Sequence, residues 1–258
     1  MTRLILLALL LAGISSAPIR AANAAPCAAD PALLVPDDPP TAFQAALASG
    51  KPVAILAIGS ATTAGGKEAA QALFPAYLMA ALHQALPGTA FTLAVRGGRG
   101  QTAEDMLPEL HRALAGGHIP LVLWQTGTVE AVRGLRPSGM QDALAQGIEE
   151  VAAQGGNVVL IDPQFSRFLR ANVDLPPYEA VLNEAAAMPG VSLFPRYALM
   201  QEWAANREID LERTPRRARA AALARLNACI GLSLARFVLA GMPAAERLSQ
   251  GPLPALPR

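Results

Sequence analysis

The sequence predicts an α/β protein with a five-stranded parallel sheet between layers of helices, and three observations carry that prediction. From residue 52 onward, apolar runs of strand length alternate with longer helical stretches, the pattern of crossovers that bury both faces of a parallel sheet. Hydrophobic residues make up 52% of the 258 and charged ones 16%, which suits a large core. Aromatic residues reach only 5% while alanine is abundant. That favours closely packed helices over an aromatic-rich sandwich.

Taken in order, the chain opens with a short basic start, Met1-Thr2-Arg3, and an apolar run over 4–14 that is too short to span a bilayer comfortably. Ala22-Asn23-Ala24 follows just ahead of Ala25-Pro26, so residues 1–25 read as a cleavable export signal and the product as periplasmic or secreted. A lipoprotein is disfavoured because Pro26 stands before Cys27, where a small residue is wanted. Residues 28–48 read as a proline-containing lead-in. Strands are expected at 53–58, 91–95, 121–125, 158–161 and 191–194. Helices are expected at 75–85, 103–115, 139–154, 178–187, 197–205 and 216–239. Gly116-Gly117 and Gly155-Gly156 fall where helices should stop. There is no internal repeat, so 26–250 reads as one domain and 251–258 as a loose proline-rich tail. After export no second membrane span is expected. The only cysteines, Cys27 and Cys229, either pair in an oxidising compartment or remain one free and one buried in the last helix.

Net charge is +1, so nothing global points to nucleic acid or an anionic surface, and any electrostatic preference must come from local clustering. No cofactor is expected. Gly98, Gly100 and Ala103 follow a strand and open a helix in the relaxed dinucleotide pattern, but the next strand ends in Trp124-Gln125-Thr126 without the acidic residue that holds a ribose. No His/Cys/Asp cluster has metal-ligand spacing.

Ligands on open parallel sheets bind beyond the carboxyl ends of the strands. The segments expected there are Gly59-Ser60-Ala61-Thr62-Thr63-Ala64-Gly65, Arg96-Gly97-Gly98-Arg99-Gly100-Gln101-Thr102, Thr126-Gly127-Thr128-Val129-Glu130 and Asp162-Pro163-Gln164. In that order, and over about 52–237, these four blocks resemble the motif blocks of the SGNH (GDSL-like) hydrolases, secreted esterases and acyl or acetyl hydrolases. Trp124-Gln125-Thr126-Gly127-Thr128 and Ile161-Asp162-Pro163-Gln164 are similar to one bacterial subgroup. The resemblance implies a flavodoxin-like three-layer α/β/α fold.

It also implies a serine nucleophile, a histidine base and an oxyanion hole of a serine amide, a glycine amide and an asparagine. Carried over residue by residue, the nucleophile position falls on Ala61, the oxyanion glycine on Gly100, the asparagine on Val129 and the histidine on about Ala221. Only the glycine is kept. His83, His111 and His118 are expected near the amino end of the sheet, roughly 15–20 Å away at strand rise, whereas a base must come within about 3 Å of its proton. Ser60, Thr62 and Thr63 supply hydroxyls, and Asp162, Glu130 and Asp105 supply carboxylates; unorthodox hydrolysis through Ser60, Gly100 and Asp162 and ordinary loop capping both remain open. The candidate ligand contacts are Arg96, Arg99, Thr128, Glu130, Arg133, Gln164 and Arg167, with Arg136 and Arg170 nearby. These arginines either converge on an anionic glycan or small acid, or pair with Glu104, Asp105, Glu130 and Asp162 to hold the loops. Weak or absent esterase activity is expected; the alternatives are a non-catalytic envelope protein that binds such a ligand and a scaffold for assembly.

Overall fold

A computed structural model describes residues 27–65 and 72–250. The expected signal, 1–25, and tail, 251–258, lie outside the described residues. The five expected strands form as β1 (Val53–Gly59), β2 (Phe91–Gly97), β3 (Leu121–Gln125), β4 (Asn157–Ile161) and β5 (Val191–Phe194). All pair in parallel in the order β2-β1-β3-β4-β5. The order reverses at β1, so a crevice opens there beyond the strands' carboxyl ends.

β1, β3 and β4 are buried along both faces, which explains their unbroken Val/Ile/Leu runs. One face carries Ile55, Ala57, Leu123, Val159 and Ile161 beneath α3 (Phe74–Ala85), α9 (Arg196–Ala205) and α10 (Arg219–Val238). The other carries Leu56, Ile58, Val122, Trp124 and Leu160 beneath α4 (Ala103–Ala115), α6 (Pro137–Ala153) and α8 (Pro176–Ala186). Prolines at the first or second position of α3, α6 and α8 need no backbone donor there and bring a helical φ; Pro137 starts α6 two residues before the expected glycine. Gly231 lets α10 lie directly on α3, since a Cβ there would sit 2.6 Å from the Leu78 nitrogen and Tyr77 Cβ.

Short helices appear where the sequence reading has loops: α2 (Ala61–Ala64), α5 (Thr128–Val132) and α7 (Arg167–Asn172). The lead-in contains α1 (Thr41–Ala48), held by buried Phe43 and by the Asn157 side chain, whose Oδ1 accepts from the Ala42 nitrogen at 2.7 Å. α11 (Pro243–Gln250) follows the last expected helix. Cys27 and Cys229 form a disulfide across 202 residues, tying the lead-in to the middle of α10. Residues 216–238 are long and apolar enough to cross a membrane by length and composition. Two-thirds of that window is buried inside the fold, and it forms a wall of the core.

Candidate functional site

The first block turns from β1 straight into α2. Gly59 is required at the turn because a Cβ would lie 2.4 Å from the Thr63 hydroxyl. Gly97 lies alongside on β2 with φ +98, and its Cβ would meet the Gly59 carbonyl oxygen at 2.1 Å. These contacts press the first two blocks together and direct three hydroxyls inward. Ser60 Oγ, Thr62 Oγ1 and Thr63 Oγ1 donate to one atom, Gln125 Oε1, at 3.2, 2.9 and 3.0 Å. Ser60, Thr63 and Gln125 are all buried. A hydroxyl becomes a nucleophile when a base takes its proton; an amide oxygen accepts the hydrogen bond without taking the proton.

Behind this cluster lies Arg196, 2% exposed, at the carboxyl end of β5. Its Nη1 donates to Thr62 Oγ1 at 3.2 Å, and its Nε has no partner among the described residues. Burial lowers its pKa to about 10, while the nearby Asp162 charge acts in the opposite direction. Asp162 accepts from the Tyr197 nitrogen at 2.8 Å, closing the start of α9. Burial raises the Asp162 pKa to about 7, against the lowering effects of that hydrogen bond and of Arg196. Asp162 lines a cavity of about 560 Å³ with Arg170, Glu179, Asn183 and Tyr197 on an apolar wall that includes Leu182 and Leu193.

The remaining sequence-predicted residues disperse. Glu130 is buried and takes the Ala103 nitrogen at 2.6 Å, Thr126 Oγ1 at 2.7 Å and the Gly127 nitrogen at 2.9 Å. It braces blocks two and three, and it also borders a cavity of about 320 Å³ with Thr102 and Arg136. Together with the Thr102–Asp105 capping box, Glu130 also occupies the first backbone amides of α4. Arg96 is exposed with its guanidinium on the Val95 carbonyl, and Arg99 and Gly100 are exposed at the same edge. Arg133 is exposed after α5, and Arg136 borders the same cavity as Glu130.

Arg167 pairs with Asp210 at 3.0 Å and Glu212 at 3.2 Å, with its guanidinium over Phe165. Three strand spacings separate β2 from β4, about 14 Å, so Arg96 and Arg167 do not share one ligand group. Gln164 borders a cavity of about 140 Å³ beside Arg167. The Thr128 hydroxyl is buried without a partner. Val129 is half-buried on α5. Ala221 is exposed near the start of α10 and borders a further cavity with Arg213 and Arg225.

The three histidines of the chain are elsewhere. His83 packs edge-on against Phe91, the first residue of β2. His111 contacts Glu150 at 2.7 Å on the outer helices, and His118 is exposed before β3. Among the described residues, no group of three His, Cys, Asp or Glu could hold a metal ion.

A family model described as the non-GDSL lipase-like family matches residues 26–244. The chain belongs to the non-GDSL lipase-like family. No curated protein matches it. Among the solved structures that the fold of this lipase-like chain resembles are the following. TesA is 21% identical over 69% of this chain and 97% of its own, with a TM-score of 0.51. A lipase/acylhydrolase from Enterococcus faecalis is 18% identical over 71% and 95%, with a TM-score of 0.51. The acetylxylan esterase Axe2 from Geobacillus stearothermophilus is 16% identical over 69% and 94%, with a TM-score of 0.53. The non-GDSL lipase-like chain thus has the SGNH-hydrolase α/β/α fold.

Gln125 and Arg196 are the two central residues that sequence reasoning missed. Gln125 was visible as a polar residue ending an otherwise apolar strand. Arg196 stands after the fifth strand, whereas the arginines singled out follow the second, third and fourth.

Proposed function

We propose that this chain is an exported SGNH-fold protein whose ester-cleaving centre has become a closed hydrogen-bond cluster, leaving a protein that binds a ligand without breaking it. The observation that carries this reading is the convergence of Ser60, Thr62 and Thr63 on the Gln125 amide oxygen. The hydroxyls are consumed by an acceptor too weak to activate them. Ala61, Val129 and Ala221 at the family's nucleophile, asparagine and histidine positions agree with it. So do the three histidines, each engaged or exposed away from the cluster.

The cavity beside Asp162 favours a small, hydroxyl-rich ligand such as a glycan fragment. Its lining alternates carboxyl, amide, phenol and guanidinium groups on an apolar wall, and its volume falls in the range of small-molecule sites. The named activities of the fold relatives, an acetylxylan esterase among them, indicate an acylated or acetylated glycan as the substrate type from which this binding derives. The Cys27–Cys229 disulfide supports a periplasmic or secreted setting.

The test is turnover of short-chain aryl esters by the purified mature protein. The reading predicts hydrolysis at the buffer rate, unchanged in Ser60→Ala. A rate on the order of ten per second, abolished by Ser60→Ala, would overturn it.

A further inference from the structure

The near-neutral chain hides a strongly basic stretch. Residues 213–225 contain five arginines, at 213, 216, 217, 219 and 225, and no acidic residue. The three acids just before them are already engaged. Glu208 accepts from the Cys27 nitrogen and from Arg225 Nη2, at 3.0 and 3.1 Å. Asp210 and Glu212 are held by Arg167. Arg213 reaches Asp210 only at 3.7 Å, with a side chain 73% exposed. Arg216 and Arg217 are exposed in the turn before α10 and, among the described residues, make no side-chain hydrogen bond or ion pair. The charges of Arg216, Arg217 and Arg219 therefore face solvent without a paired acid among the described residues, whereas Arg225 and Arg213 are offset by Glu208 and Asp210.

Two further features give the patch a shape. Arg207, Arg213 and Arg225 rim an open cavity of about 630 Å³ bordered by Ala218, Ala221 and Ala222; Glu208 and Asp210 also line it, paired with Arg225 and Arg167. Phe168, 67% exposed, stands at the edge of the patch: its backbone nitrogen donates to Glu212 Oε1 at 3.2 Å, one residue from Arg213. Guanidiniums around a concavity recognise phosphate oxygens. A large exposed aromatic beside them gains nothing from a soluble anion, but it gains burial at a lipid interface.

We infer that the stretch from Arg207 to Arg225, with Phe168, docks this protein peripherally on a membrane surface rich in anionic phospholipid headgroups. Phosphates enter between the arginines and Phe168 dips into the interface. This goes beyond the ligand site proposed above, from which it is independent: the patch shares none of that cavity's lining.

The test is co-sedimentation of the purified mature protein with vesicles of phosphatidylglycerol mixed with phosphatidylcholine, against vesicles of phosphatidylcholine alone. Binding is expected to the first only and to fall steeply with added salt. The triple variant Arg213→Ala, Arg216→Ala, Arg217→Ala should bind about a hundredfold more weakly, at roughly fivefold per basic residue. These side chains are exposed, so its melting curve should match the parent's. Phe168→Ala should weaken binding severalfold, whereas lysine at the three arginine positions should largely preserve it. Equal binding to both vesicle types, or to neither, overturns the inference. So does binding of soluble dextran sulfate without binding of the phosphatidylglycerol vesicles, which would make the patch a polysaccharide site.

Discussion

At the scale of single residues, the electrostatics of Arg196 and Asp162 dominate. Arg196 is buried with one neutral acceptor on Nη1 and, among the described residues, none on Nε, and a buried charge without close pairing costs more than it returns. Arg196→Met should therefore be neutral or stabilise the fold by about 1–2 kcal/mol in urea unfolding. Gln125→Ala removes the common acceptor of three hydroxyls and should destabilise by about 2–3 kcal/mol. If Arg196→Met destabilises more than Gln125→Ala, the assignment of cost is wrong. Asp162 keeps its proton to about pH 7 in the fold, against an ordinary 3.8. Between those values the folded state binds more protons than the unfolded chain, so stability is greatest below about pH 4 on this account and falls as pH rises toward 7. Asp162→Asn should flatten that fall. An unchanged pH profile in the variant would remove Asp162 as its source.

At the scale of elements, the motif blocks are braced to one another more than they are opened to a ligand. Glu130 joins the start of α4 to the β3–α5 turn through three hydrogen bonds. Glu130→Ala should lower stability by about 2–4 kcal/mol, read from the urea midpoint, whereas Arg99→Ala at the exposed edge should change it by less than about 0.5 kcal/mol. The strands were legible because β1, β3 and β4 are covered on both faces and read as unbroken apolar runs. α1 was not legible, because its N-terminus is closed by the Asn157 side chain, 115 residues away. The Arg rim failed for a related reason. Spacing from strand ends places a residue at a rim but does not say which strand it follows in space. Sheet order separates Arg96 from Arg167, and only packing reveals that Arg196, adjacent to the expected α9, points inward to Thr62.

At the scale of the whole molecule, the disulfide and the sheet set where chemistry can occur. Cys27–Cys229 closes a span of 202 residues, and its reduction should lower stability by about 2–5 kcal/mol; an unchanged melting temperature in reductant would show that α10 is held by packing alone. The parallel order brings the ends of β1 and β3 side by side, which is why Ser60 meets Gln125. It leaves His83 and His118 beside the amino ends of β2 and β3, and His111 on the outer helices. The fold is thereby preserved, while on the proposed reading the crevice lacks a Ser–His pair. The most direct measurement is intact mass after incubation of the folded protein with a fluorophosphonate, which adds covalently to an activated serine. The account predicts an unmodified mass after prolonged exposure. A single adduct mapped to Ser60, absent from the unfolded protein, would contradict it.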